Sequence, residues 1–295
     1  VNAEHSDVAW NLITIEISRG CEEDVSSALF DMGTTGIVTA TETEASVTLE
    51  AYFADDQPEE DLVGLIASRL TAARLDSAVV SLKSSRIADQ DWMQKWKEGF
   101  DAAEIGERLL IAPSWKRPDY ATDRIVIQID PGMAFGTGTH ETTRLCLEAI
   151  ERYWSGGALL DVGTGTGILA IASALLRPGA RIVALDIDHV AVEVARENAS
   201  LNGVRRDIEI LEAHPLALSG ATFDVVVANL TAEVILGTIS ELVRLTADRG
   251  VVILSGILTS LAAEVERAVG EAGLCLVDRR VAGEWAALVA SKGDF

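Results

Sequence analysis

The segment ALLDVGTGTGILAIASALL, residues 158–176, constrains the fold more than any other part of the chain. A short apolar strand-like run gives way to three glycines spaced by single residues, and an apolar helical run follows at once. Glycines at such a junction let the backbone bend sharply and approach a ligand, while the helix presents its N-terminus at the end of a sheet. This is a nucleotide-site position. The spacing then separates ligand classes, because a dinucleotide fingerprint needs GxGxxG, and here Ile168 stands where its last glycine belongs.

The pattern around the turn is that of a parallel sheet covered on both faces: strand-like runs at Ala158 to Val162, Ala180 to Asp186, Phe223 to Asn229 and Val251 to Ser255 alternate with helical stretches. A closing pair, Cys275 to Val281 and Glu284 to Ala290, has hairpin spacing around Ala282 and Gly283. S-adenosylmethionine suits such a site, since it has no pyrophosphate to cradle. Asp161 can attract its ammonium group, and Gly163 and Gly165 can admit its methionine and ribose portions. Asp186, nineteen positions after Gly167, can accept hydrogen bonds from both ribose hydroxyls. Asp188 reads as the cap of the next helix. Asn229 ends its strand beside the crevice and offers an amide to cofactor or substrate. Leu230-Thr231-Ala232 follow it, not the prolines and aromatic of base-methylating enzymes, which argues against a flipped base.

Ahead of this region lies a different pattern. Trp10–Ile17, Gly36–Thr41, Ser46–Phe53 and Ala78–Ile87 read as strands, and Glu22–Met32 and Pro58–Arg74 as helices. The order β-α-β-β-α-β is that of a small ferredoxin-like α+β domain, assigned to residues 1–87. Residues 88–104 are expected to form a linker helix carrying Trp92, Met93 and Trp96, with the catalytic domain at 105–295. Strands near Arg108–Trp115 and Arg124–Asp130 open that domain, before the glycine-rich PGMAFGTGTH and a helix from Glu141 to Tyr153.

The formal charge of −22 disfavours a phosphate backbone as partner and favours a basic one. Cys21, Cys146 and Cys275 are scattered and odd in number, which fits neither a disulfide framework nor a metal site. With no run of eighteen apolar residues and no basic stretch preceding an apolar one near Val1, neither a membrane span nor a signal peptide is expected, and the reading is cytoplasmic.

DPGMAFGTGTHETT, Asp130 to Thr143, together with DWMQKW, GERLLIAPSW, DVGTGTGILAIA, VVVANLTAEV and LSGIL, resembles the PrmA family of bacterial methyltransferases that act on ribosomal protein L11. The likeness runs over nearly the whole chain. It implies a Rossmann-like, seven-stranded class I methyltransferase domain that is metal-free and monomeric, takes S-adenosylmethionine and yields S-adenosylhomocysteine. The acceptors implied are lysine or N-terminal amines of L11. It also implies cofactor contacts from Thr143, Gly163, Asp186 and Asn229, with a loop around Phe135 to Thr139 closing over the ligand. His140 invites a catalytic role but suits capping or packing equally, and no general base is assigned. Two other readings stay open: methylation of RNA or a small molecule on the same fold, and a non-catalytic cofactor-binding scaffold.

Overall fold

The computed structural model describes residues 9–30, 32–34, 36–43, 45–54, 59–88, 102–113, 115, 123–129, 140–218 and 220–293. The chain divides into two compact units, Val1–Phe100 and Asp101–Phe295.

In the smaller unit, β1 (Ala9–Ser18), α1 (Glu22–Phe30), β2 (Gly36–Glu42), β3 (Ser46–Ala54), α2 (Glu59–Ala72) and β4 (Val79–Ala88) follow in that order. Their antiparallel sheet runs β2-β3-β1-β4, the ferredoxin-like arrangement. Strand periodicity explains its core. Ile13, Ile15 and Ile17 alternate along β1 and face Ala51, Leu49 and Val47 of β3 in register, all of them buried. Val25 and Leu29 of α1 and Leu62, Ile66 and Leu70 of α2, at helical spacing, close over that face.

The larger unit opens with a three-stranded sheet, β5 (Ala103–Ile105), β6 (Leu109–Ala112) and β7 (Ile125–Gln128), in which β5 is antiparallel and β7 parallel to β6. After α3 (Glu141–Tyr153) the chain alternates regularly: β8 (Leu159–Val162), α4 (Ile168–Leu176), β9 (Ile182–Asp186), α5 (His189–Leu201), β10 (Ile208–Glu212), β11 (Phe223–Asn229), α6 (Ala232–Leu245), β12 (Thr246–Leu258), α7 (Ala262–Glu271), β13 (Cys275–Ala282) and β14 (Trp285–Ser291). The seven strands run β10-β9-β8-β11-β12-β14-β13. All pairings from β10 to β12 are parallel, and β14 lies antiparallel between β12 and β13.

Successive side chains of the central strands enter opposite layers. Val225 and Val227 join the core shared with α3, α4 and α5, whereas Val226 and Ala228 join the one shared with α6 and α7. This accounts for the unbroken apolar runs, since a strand buried on both faces has no polar side. The order reverses between β8 and β11, so a crevice opens beyond their C-terminal ends.

Three features depart from the sequence expectation. β5 and β10 were not foreseen, and β12 is longer than Val251–Ser255. The expected linker tryptophans Trp92 and Trp96 lie outside the described residues, as do Phe135 and Thr139. Among the described residues no helix is long and apolar enough to cross a membrane.

Ile15 has no exposed surface at the centre of the smaller unit's core. Ile15→Ala should lower that unit's unfolding free energy by about 2–5 kcal/mol in a denaturant titration.

Candidate active site

The turn after β8 is fixed by its own backbone. The amides of Gly163 and Thr164 both donate to the Leu185 carbonyl at 2.9 Å, and that of Gly167 donates to the Thr164 carbonyl at 2.9 Å. The Gly165 amide donates to Asp186 Oδ2 at 2.9 Å. Asn198 of α5 donates through Nδ2 to the Thr166 carbonyl, also at 2.9 Å. Four amides of the turn are thus engaged inside the protein and do not face a ligand. Gly163, Gly165 and Gly167 have φ of +70°, +53° and +81°, conformations that L side chains rarely adopt. Gly167 also meets α5 closely, because a Cβ there would lie 3.1 Å from that of Ala195.

The turn borders a cleft of about 350 Å³ lined by Gly163, Gly165, Asp186, Asn229 and Leu230, with Ala213 and Pro215 among the residues beyond β10. That volume lies within the range of about 300–1,000 Å³ usual for small-molecule sites. Asp186 is oriented by two backbone donors, the Gly165 amide on Oδ2 and the Asp188 amide on Oδ1 at 3.1 Å. Asp188 caps α5, accepting from the Val190 amide at 2.9 Å.

Asn229 ends β11 and reaches across to the first turn of α3. Its Nδ2 lies 3.3 Å from the Thr142 hydroxyl and 3.4 Å from that of Thr143, while its Oδ1 is buried with no hydrogen-bond partner among the described residues. His140 is the N-cap of α3: its Nδ1 accepts from the Thr142 amide at 3.3 Å and sits 2.7 Å from the Thr142 hydroxyl. Its ring meets the edge of Trp285, 5.1 Å between centroids. Burial lowers its pKa, partly offset by Glu141 and Glu284. The neutral ring that results is the form a cap requires.

Asp161 and Thr143 are buried and stand one layer behind the cleft lining. Asp161 Oδ2 accepts from the Thr164 hydroxyl at 2.6 Å, and Oδ1 has no partner. Burial pushes this carboxyl up to about 7, against the pull of the Thr164 hydroxyl and the Ala170 amide, with the charge of Asp186 adding to the rise. Cys146 of α3 is wholly buried nearby, and burial holds its thiol protonated. All three cysteines are free.

Comparison with known proteins agrees with this architecture. The family model described as ribosomal protein L11 methyltransferase (PrmA) matches residues 9–293. The chain belongs to the PrmA family. Proteins named ribosomal protein L11 methyltransferase from Streptococcus equi subsp. zooepidemicus (strain H70) and Streptococcus mutans serotype c are each 35% identical to it. The alignments cover 97% of this chain with 97% and 96% of theirs. The crystal structure of ribosomal protein L11 methylase from Lactobacillus delbrueckii subsp. bulgaricus is similar with a TM-score of 0.60 and 37% identity, covering 65% of this chain and 99% of that one. The strand order and family membership make the larger unit a class I S-adenosylmethionine-dependent methyltransferase domain.

Within this PrmA relative, the structure brings together Gly163, Gly165, Asp186 and Asn229 at one cleft and sets Asp161 and Thr143 beside them. Sequence reasoning missed Thr142, although it precedes Thr143 in the first turn of a recognised helix. It also missed the Ala213–Pro215 edge, which depended on seeing β10 in the short alternation IEILE.

Asp161 should leave a mark on stability. In the cofactor-free protein it keeps its proton up to about 7, whereas the unfolded chain loses it near the ordinary value of 3.8. The native state therefore binds the extra proton in that window, and stability falls as pH rises across it and levels off above. Denaturant titrations should show this part of the slope in the wild type and its loss in Asp161→Asn.

Proposed function

We propose that the chain transfers methyl groups from S-adenosylmethionine to amino groups of ribosomal protein L11, leaving S-adenosylhomocysteine. The observation that carries this reading is the 35% identity to L11 methyltransferases along almost the full length of both chains, the smaller unit included. A cofactor cleft alone does not choose an acceptor. A formal charge of −22 adds to it by favouring a basic partner.

The cleft's residues fit the cofactor. Asp186 keeps a free lone pair on each carboxylate oxygen after its two backbone bonds, enough for two ribose hydroxyls. Gly163 and Gly165 leave their side of the cleft open, and in this reading Asp161, buried behind the lining, contributes the negative charge for the ammonium group. Thr143 supplies a hydroxyl beside Asn229. Asn229, which lines the cleft at the tip of β11, offers its side-chain amide to orient the incoming amine in this reading. The loop containing Phe135 and Thr139 completes the enclosure in this reading.

When bound, the cofactor supplies a methyl group on a positively charged sulfur, already activated for transfer. The protein's part is to align a neutral nitrogen and exclude water. No side chain is assigned as general base. A lysine at about pKa 10.4 needs about 4.6 kcal/mol to deprotonate at neutral pH, against about 1.4 kcal/mol for an α-amine near 8. Lysine acceptors therefore depend more on desolvation in the site.

The smaller unit serves in this reading as the recognition domain and the larger as the catalytic domain; the linker expected at 88–104 is shortened at both ends, since Ala88 belongs to β4 and Ala103 and Glu104 to β5. The protein acts as a metal-free monomer that binds neither nucleic acid nor membrane and works in the cytoplasm.

Incubation with purified L11 should form S-adenosylhomocysteine, and RNA or small amines should not replace the protein. Turnover on RNA alone, or binding without turnover, would overturn the assignment. Asp186→Ala should weaken cofactor binding by at least about tenfold in calorimetry, since each lost charge-assisted hydrogen bond is worth about 1.5–3 kcal/mol. Activity should persist with chelators and with all three cysteines changed to serine; loss restored by one added metal ion would contradict the metal-free mechanism.

A further inference from the structure

A second glycine, far from the glycine-rich turn in sequence, lies against Asn229. Gly256 is in β12 with φ +81°. A Cβ at this position would lie 2.5 Å from the carbonyl oxygen of Leu230, 2.9 Å from its carbonyl carbon and 3.1 Å from Asn229 Oδ1. Backbone cannot swing aside as the end of a flexible side chain can. The surrounding pairing explains why the approach is so close. Asn229 is in register with Ser255, the Leu230 amide donates to the Ser255 carbonyl at 3.0 Å, and the ladder between β12 and β14 slips between Leu254 and Ile257. That irregularity bends β12 beneath the tip of β11.

From these contacts we infer that Gly256 is a positioning residue for methyl transfer: its missing side chain makes the space in which the Leu230 carbonyl and the Asn229 side chain seat. The inference rests on the acceptor-binding role proposed for Asn229. The Leu230 side chain packs against a second glycine, because a Cβ at Gly163 would lie 2.5 Å from Leu230 Cδ2, but that contact is with a side-chain end, so the constraint on the backbone comes from Gly256. Any side chain at 256 displaces the Asn229 amide, and with it the contacts of Nδ2 with Thr142 and Thr143 that orient it. The three atoms that a Cβ at 256 would meet most closely belong to Leu230 and Asn229, and none belongs to Asp186 or to the turn from Gly163 to Gly167. Methyl transfer should therefore suffer more than cofactor binding in this variant.

The test measures kcat with L11 as acceptor and the dissociation constant of S-adenosylhomocysteine for Gly256→Ala, Gly256→Asn, Asn229→Ala and Asn229→Ala/Gly256→Ala in the full chain. Asparagine tolerates a positive φ but still carries a Cβ, so it relieves backbone strain without restoring the space. Both single variants at 256 should lower kcat by about tenfold or more. Their affinity for S-adenosylhomocysteine should stay within about threefold of wild type. In the Asn229→Ala background the 256 substitution should add nothing, because its effect passes through the missing side chain. Normal kcat in Gly256→Ala, rescue by Gly256→Asn, additive losses in the double variant, or loss of cofactor affinity in Gly256→Asn would each overturn the inference. If Asn229→Ala itself turns over normally, the acceptor role of Asn229 falls, and this inference with it. If Asn229→Ala is slow while Gly256→Ala is normal, the inference falls alone.

Discussion

The tip of β9 holds the glycine turn. One carbonyl, that of Leu185, takes two successive amides of the turn, and the next residue's carboxylate takes a third. The same Asp186 side chain then faces the cleft. Orientation of the ligand-binding group and shape of the turn are consequently one arrangement, set by parallel pairing of β8 with β9 from Leu159↔Ile182 to Val162↔Leu185. With its amides engaged, the turn offers an open surface and a carboxylate in place of an anion nest. A ligand with ribose hydroxyls and positive charge suits it, and a pyrophosphate does not.

The opposite wall depends on packing. Asn229 is held between hydroxyls at the start of α3 and Gly256 of β12, and the carbonyl of the residue after it occupies the space that a Cβ at 256 would need. His140 contributes by capping the start of the helix, which places Thr142 and Thr143 in its first turn. The two walls come from strands on either side of the switch point, β9 beyond β8 and β11 beside it. The fold thereby brings sites more than forty residues apart in the chain to one crevice.

Much of this was legible in the sequence because the features were local. Unbroken apolar runs gave the central strands, two-residue alternation gave β1, and the single spacing of the glycines separated one ligand class from another. Asp186 and Asn229 followed as strand tips. What escaped was non-local or too short to carry a pattern. β5 has three residues, and β10 offers one brief alternation after the polar stretch Arg205-Arg206-Asp207. The importance of Gly256 rests on a carbonyl supplied by another strand, which no spacing in LSGIL reveals. Asp161 read simply as an acid near the ligand, but its complete burial leaves it protonated to about 7 in the free protein.

Calorimetric titration of the purified chain with S-adenosylmethionine and, separately, with NAD tests most directly whether the engaged turn selects its ligand. The inward hydrogen bonds of Gly163, Thr164, Gly165 and Gly167 predict saturable binding of S-adenosylmethionine and no measurable binding of NAD. Equal or tighter binding of NAD would contradict the account.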